Sequence, residues 1–438
     1  MGAKKIKEVS PVIAGKIVKP ENRGITAPKG FMAAAASAEI KYQERDDMAM
    51  IFSASPCKVA GCFTSNVVKA APVKWDMDLV SGALKEGKGV HAVVVNSGIA
   101  NACTGEEGME ICRTSAQTAC DELLAAGCIG SMTADQVLLG STGVIGMQIP
   151  VDRIKKGIRD LAGSLSSDEE SGHRAERAIM TTDTEPKEIS FAFDIDGVRV
   201  NMAGMAKGSG MIHPNMCTML SYVTTDAAID AGLMQKALGD IVADTFNMIS
   251  VDGDTSTNDT IIVLANGEAG NAPIRDENSE AYKAFYSALE AVCSFLAKSM
   301  AADGEGATKL VECEVKGAAT KSDAAVLAKS VVCSSLTKAA MYGCDANWGR
   351  VLCALGYSGV SFDPEKVTLR FRDALTGKEL LIYENGRGTG YSEEEATLIL
   401  KSTHVQILAH MDMGEGEATA YGCDLTHEYV DINADYRS

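Results

Sequence analysis

The sequence predicts an α/β (α+β) protein, with layered sheets flanked by helices and a smaller α+β unit at its C-terminal end. Three observations predict it. Short apolar runs bounded by turn residues, at 48–53, 59–64, 91–95, 137–139, 218–223 and 261–265, read as buried strands. Between them lie long segments with apolar residues at helical spacing, above all 106–126, 229–246 and 280–301. From residue 311 the texture changes: strand-like runs at 311–315, 367–372, 380–383 and 417–421 bracket a helix at 393–401. Residues 1–310 are accordingly expected to bear the functional site and 311–438 to form a separate C-terminal α+β domain.

In chain order, residues 1–30 form a polar lead-in closing on Pro28, Lys29 and Gly30. The strand at 91–95 runs into an Asn96, Ser97, Gly98 turn. The helix at 106–126 places Ile111, Ala116, Ala119, Leu123 and Leu124 on one face, with acidic residues in its first turn and Gly127 after its end. The strand at 137–139 is followed by Gly140, Ser141, Thr142 and Gly143, a glycine-rich backbone able to point N–H groups at an anion. A helix at 152–161 precedes a polar connection at 164–171, and 189–200 alternates around Asp196 and Gly197 as a hairpin does. A polar linker at 267–279 leads into the helix at 280–301. Two Thr-Thr-Asp triplets, at 181–183 and 224–226, read as coincidental.

At 438 residues the chain is long enough for two or three domains. Its net charge of −18 argues against a nucleic-acid or anionic-membrane partner. Thirteen cysteines, an odd set without a C-x-x-C pair, fit reduced thiols. Residues 1–10 are charged and lack the apolar stretch of a signal peptide, and no run approaches 18 apolar residues. A cytoplasmic protein is expected.

The chemistry concentrates at 204–226, Gly-Met-Ala-Lys-Gly-Ser-Gly-Met-Ile-His-Pro-Asn-Met-Cys-Thr-Met-Leu-Ser-Tyr-Val-Thr-Thr-Asp. It combines a cation (Lys207), two glycines (Gly208, Gly210), a His-Pro turn and Thr218 ahead of an apolar run. A threonine hydroxyl needs a neighbouring base to act as a nucleophile, and an N-terminal threonine carries one in its own α-amine. That amine has an ordinary pKa of about 7.7–8.0, close to working pH. A cut between Cys217 and Thr218 would create such a residue. On these residues alone Ser209 and Cys217 are equally eligible nucleophiles, and a plain loop and strand is the simpler reading.

Other constellations are weaker. Asp252, Gly253, Asp254, Thr255 and Ser256 match the D-x-D-x-[TS] pattern of Mg²⁺-dependent aspartyl-phosphate phosphotransferases, the main rival. An EF-hand loop fails there, because the sixth position is Thr257 and the twelfth Val263. The six histidines have no zinc-site spacing, and no Walker A loop is present.

The stretch Lys-Gly-Ser-Gly-Met-Ile-His-Pro-Asn-Met-Cys-Thr-Met-Leu resembles the cleavage motif of the ornithine acetyltransferase (glutamate N-acetyltransferase) family of arginine biosynthesis. Residues 24–30, 96–105, 141–146, 252–260, 303–309, 345–350 and 432–438 resemble other segments of that family, in the same order over nearly the whole chain. One departure is Cys217, where the family usually has alanine before the threonine.

The resemblance implies the layered fold that this family shares with the DmpA aminopeptidases. It implies self-cleavage into an α chain (1–217) and a β chain (218–438), and an α2β2 assembly. It further implies cofactor-free, metal-free transfer of acetyl from N-acetylornithine to glutamate through an acetyl-threonine ester, with acetyl-CoA as a second donor in bifunctional members. By the same resemblance Thr218 is the nucleophile, Thr142 and Gly143 form the oxyanion hole, and Thr181, Lys207, Thr218, Glu305, Asn433 and Ser438 bind substrate. The alternative on the same scaffold is a self-cleaving N-terminal-threonine aminopeptidase or amidase.

Overall fold

A computed structural model describes residues 12–13, 16–21, 23–213 and 219–435. Cys217, Thr218 and Ser438, all expected to serve the site, lie outside the described residues.

Seven strands form one hydrogen-bonded path, Val137–Ser141, Val90–Asn96, Met48–Phe63, Thr260–Ala265, Leu220–Thr225, Val198–Lys207 and Lys187–Ile195 in spatial order, and an eighth, Phe31–Ala36, pairs with Met48–Phe63 beside it. The path folds into two stacked layers, because Met48–Phe63 belongs to both. Residues 48–53 pair with Phe31–Ala36 and Val90–Asn96, whereas residues 58–63 pair with Thr260–Ala265. The sequence predicts two strands here, at 48–53 and 59–64. They are a single 16-residue strand whose pairing slips between Phe52 and Cys57, around Pro56, which has no N–H to give the ladder.

Because both faces of each layer are covered, alternate side chains go to different cores. Ala49, Ile51, Val93, Val95 and Leu138 meet Met205, Leu220, Tyr222, Ile262 and Leu264 between the layers. Met48, Met50, Phe52, Ala92 and Val94 face the other way, against helices Gly105–Ala125 and Val151–Gly163. Phe191, Met202, Val223, Ile261 and Val263 pack on helices Ala231–Asp244 and Glu280–Ala302. Each such fully buried Phe, Leu or Val contributes roughly 1.5–3 kcal/mol. The result is a helix–sheet–sheet–helix sandwich.

Two helices depart from the expectation. Ala71–Glu86 opens with Pro72 in its first turn and stops at left-handed Gly87. The expected polar connection at 164–171 instead ends in the start of helix Glu169–Ile179, where the Asp168 side chain accepts the Ser171 N–H as cap.

A second, seven-stranded sheet runs Ile249–Ser250, Gly416–Cys423, Leu310–Ala318, His404–His410, Thr368–Asp373, Glu379–Glu384 and Arg387–Gly388. Helices Lys321–Cys333, Trp348–Gly356 and Glu393–Leu400 cover its core. Ile249 and Ser250 pair in parallel with Tyr421 and Gly422, tying the segment that follows Ala231–Asp244 to the edge of this sheet. Among the described residues no single helix is long and apolar enough to cross a membrane.

Candidate active site

Strand ends from both layers converge on a cavity of about 330 Å³. Thr142 and Gly143 reach it directly from strand Val137–Ser141, Lys207 and Gly208 from the end of Val198–Lys207, and Met219 and Leu220 from the start of Leu220–Thr225. Thr181 and Thr182 follow helix Glu169–Ile179, Glu305 follows Glu280–Ala302, and Asn433 comes from the C-terminal helix His427–Ala434. Thus Thr142, Gly143, Thr181, Lys207, Glu305 and Asn433, dispersed over 292 positions, line one space.

The Thr142 N–H donates to Asn96 O (3.0 Å) and the Val144 N–H to Gly98 O (3.0 Å). Between them the Gly143 N–H has no hydrogen-bond partner among the described residues, which leaves it free for an anion. Gly143 has φ +127°, and a β-carbon there would stand 2.2 Å from the Gly98 carbonyl carbon. Only glycine fits. The Asn258 side chain steadies this corner by donating to Ala100 O (2.6 Å) and Ser141 O (2.8 Å).

Lys207 is buried, with Nζ 3.2 Å from Thr142 Oγ1. An ammonium can only donate, so the hydroxyl accepts here and its own proton is left for a third partner. Burial holds Lys207 below the ordinary lysine range, while Asp183 pulls the other way.

Behind it lies a buried ion cluster. Lys187 Nζ bonds Asp183 Oδ1 and Asp303 Oδ2, each at 2.7 Å. Asp183 also accepts the N–H groups of Gly208 (2.7 Å) and Thr181 (3.0 Å), fixing two stretches of the cavity wall. Burial opposes ionisation of Asp183, but the Lys187 and Lys207 ammoniums overcome it and hold the carboxyl well below its usual range.

Glu305 sits on the other side of the cavity. Oε1 accepts the Thr182 hydroxyl and Oε2 the Asn433 amide, both at 2.7 Å, and the Glu305 N–H donates to Ser209 O (2.8 Å). A buried cation and a buried carboxylate therefore face one space, which suits a ligand carrying both an anionic and a cationic group.

Asp252 accepts the N–H groups of Met211 (2.6 Å), Ile212 (2.9 Å) and Asp254 (3.2 Å), and the Tyr429 hydroxyl (3.3 Å). It clamps the backbone of the central stretch to the C-terminal helix, in place of the nucleophilic role that the D-x-D pattern offered. His213 Nδ1 is 3.1 Å from Ser250 Oγ, and burial pushes its pKa down to about 4, so the ring is neutral near pH 7.

Thr182, Asp183, Asn258 and Asp259 belong to the cavity or its support and are absent from the residues singled out in sequence. The first Thr-Thr-Asp triplet was the signal for Thr182 and Asp183, since it supplies a wall residue, the Glu305 donor and the Lys187 partner in succession, while Asn258 and Asp259 fall within the family-like segment 252–260.

Relatives define the class. The arginine biosynthesis bifunctional protein ArgJ of Symbiobacterium thermophilum is 51% identical over 417 residues, covering 95% of this chain and 98% of that protein. A crystal structure of the ArgJ protein from Bacillus halodurans is 47% identical with a TM-score of 0.46, covering 49% of this chain and 97% of that one. The ornithine acetyltransferase of Mycobacterium tuberculosis, solved as a complex with ornithine, is 35% identical with a TM-score of 0.41, covering 46% of this chain and 100% of that one. The chain is an acetyl-transferring enzyme of arginine biosynthesis. It belongs to the ArgJ family, whose sequence model matches residues 32–438.

Proposed function

We propose that the enzyme transfers acetyl from N-acetylornithine to glutamate through Thr218, freed by a cut between Cys217 and Thr218. The Thr218 α-amine takes the Oγ proton, and Oγ attacks the acetyl carbonyl. The oxyanion that forms is held by the Gly143 N–H and the Thr142 hydroxyl proton; one such donor is typically worth about 2.7–4 kcal/mol in the transition state. The tetrahedral adduct collapses, the C–N bond breaks, and ornithine leaves with the proton from the Thr218 ammonium. Glutamate's α-amine then gives a proton to the Thr218 amine and attacks the ester, releasing N-acetylglutamate and restoring Oγ–H.

In this reading Lys207 takes the substrate α-carboxylate and Glu305 the side-chain ammonium, with Thr181, Asn433 and Ser438 completing the pocket. The observation that carries it is the meeting of Thr142, Gly143, Lys207 and Glu305 around one cavity, whose wall includes Met219 and Leu220, the residues next after Thr218. The bifunctional name of the Symbiobacterium relative favours acetyl-CoA as an additional donor. A cytoplasmic α2β2 assembly of the cleaved chains, with residues 311–438 as the smaller domain, completes the reading.

Thr218→Ala tests it. The wild type yields a second N-terminus beginning Thr-Met-Leu-Ser-Tyr and makes N-acetylglutamate from either donor; the variant stays one uncut, inactive chain. Acetate released without glutamate would favour an amidase, and an active Thr218→Ala variant would refute the mechanism.

A further inference from the structure

Each Glu305 oxygen is held by one donor, Oε1 by the Thr182 hydroxyl and Oε2 by the Asn433 amide. The Thr182 hydroxyl is itself 2.7 Å from Ser209 Oγ. Its single proton is committed to the carboxylate, so Ser209 must be the donor to Thr182. The relay therefore runs Ser209 O–H to Thr182 O–H to Glu305 Oε1. A hydroxyl that accepts one hydrogen bond donates more strongly to the next partner. On the remaining side the carboxylate rests against Gly210. The relay starts in the central stretch beside Lys207, so it ties the position of the carboxylate to that of the cation.

Resting on the assignment of Glu305 to the substrate side-chain ammonium, we infer that Thr182 is a positioning residue that sets which side-chain length the enzyme accepts. Each carboxylate oxygen keeps a second lone-pair site for the incoming ammonium. With the carboxylate unable to swivel, the span from Lys207 and the oxyanion corner to that site is fixed. A side chain one methylene longer must buckle, and one methylene shorter leaves the ammonium unpaired. Asn433 holds Oε2 from a C-terminal helix that buries none of its residues, which makes the Thr182 hydroxyl the firmer of the two anchors.

The test is steady-state kinetics of cleaved wild type, Thr182→Val and Thr182→Ser with N2-acetylornithine and N2-acetyllysine as alternative donors. Valine keeps the shape and removes the hydroxyl. It should raise KM for acetylornithine roughly tenfold, the scale of one lost hydrogen bond to a charged group, with kcat within about twofold. It should also narrow the preference for acetylornithine over acetyllysine, which one methylene ordinarily sets at about 10–200-fold. Serine should restore both values. An unchanged KM and preference in Thr182→Val, or equal damage in Thr182→Ser, would overturn the inference. Should Thr182→Val fail to fold, Ser209→Ala decides: a KM raised about two- to threefold supports the relay, and wild-type kinetics rejects it. A wild type that makes no N-acetylglutamate would defeat the acetyl-transfer mechanism itself, a result separate from any of these.

Discussion

The Glu305 carboxyl carbon would lie 2.4 Å from a β-carbon placed on Gly210. The two residues share a space that admits no further atom, although Gly210 has no left-handed φ to enforce glycine. Gly210→Ala should therefore leave the backbone intact and displace the carboxylate from the Thr182 and Asn433 donors. The expected outcome is a KM for N-acetylornithine raised by about tenfold or more, read from initial rates. An unaltered KM would mean that the carboxylate can retreat without consequence.

Lys187 neutralises two buried carboxylates at once, Asp183 and Asp303. Burial alone would lower its pKa, but those two partners keep it raised and the ammonium charged. Lys187→Met would strand both anions away from their shared cation. Breaking a buried pair from one side costs about 3–5 kcal/mol, and urea denaturation should record a loss of that size. Exposed pairs such as Lys156 with Asp160 offer a control, where removal should cost less than about 1 kcal/mol.

Burial raises the Glu176 carboxyl to about 8, with the Lys187 N–H at 2.8 Å from Oε1 only partly opposing it. The folded state thus holds this proton more tightly than the unfolded chain, whose carboxyl titrates near 4.5. The resulting stabilisation is complete below pH 4.5 and drains away as pH climbs to about 8. Glu176→Gln keeps an oxygen acceptor and cannot ionise. Its melting temperature relative to wild type should rise steadily from pH 5 to pH 8, and a constant difference would contradict the assignment.

Long helices were legible because apolar spacing agrees with at least one boundary signal, first-turn acids in Gly105–Ala125, the Asp230 cap of Ala231–Asp244 and the Ser279 cap of Glu280–Ala302, which the expected 106–126, 229–246 and 280–301 match. Helix Ala71–Glu86 was not, since its N-cap Ala70 makes no side-chain bond and its first turn carries no acidic residue. The long strand through Pro56 was misread as two because a proline ordinarily ends a run, whereas here the two halves serve different layers. At the site, glycine and cation motifs were visible in the chain itself. The ion cluster was invisible as a cluster: segment 303–309 and the first Thr-Thr-Asp triplet each carry one of its carboxylates, but nothing local marks Lys187, which meets Asp303 across 116 residues. Even the paired Thr-Thr-Asp triplets proved informative: Asp183 and Asp226 both accept backbone N–H groups, from Gly208 and Asn201 respectively.

Strands Val198–Lys207 and Leu220–Thr225 flank residues 208–219 and are neighbours in one sheet, paired from Lys207 with Leu220 to Met202 with Thr225. Thr260–Ala265 continues that sheet into Met48–Phe63. A scission at residue 217 would thus nick a hairpin connection without unzipping anything. The two pieces would elute together, melt in a single transition and part only under denaturant, and neither alone would retain the complementary edge needed to regain its shape.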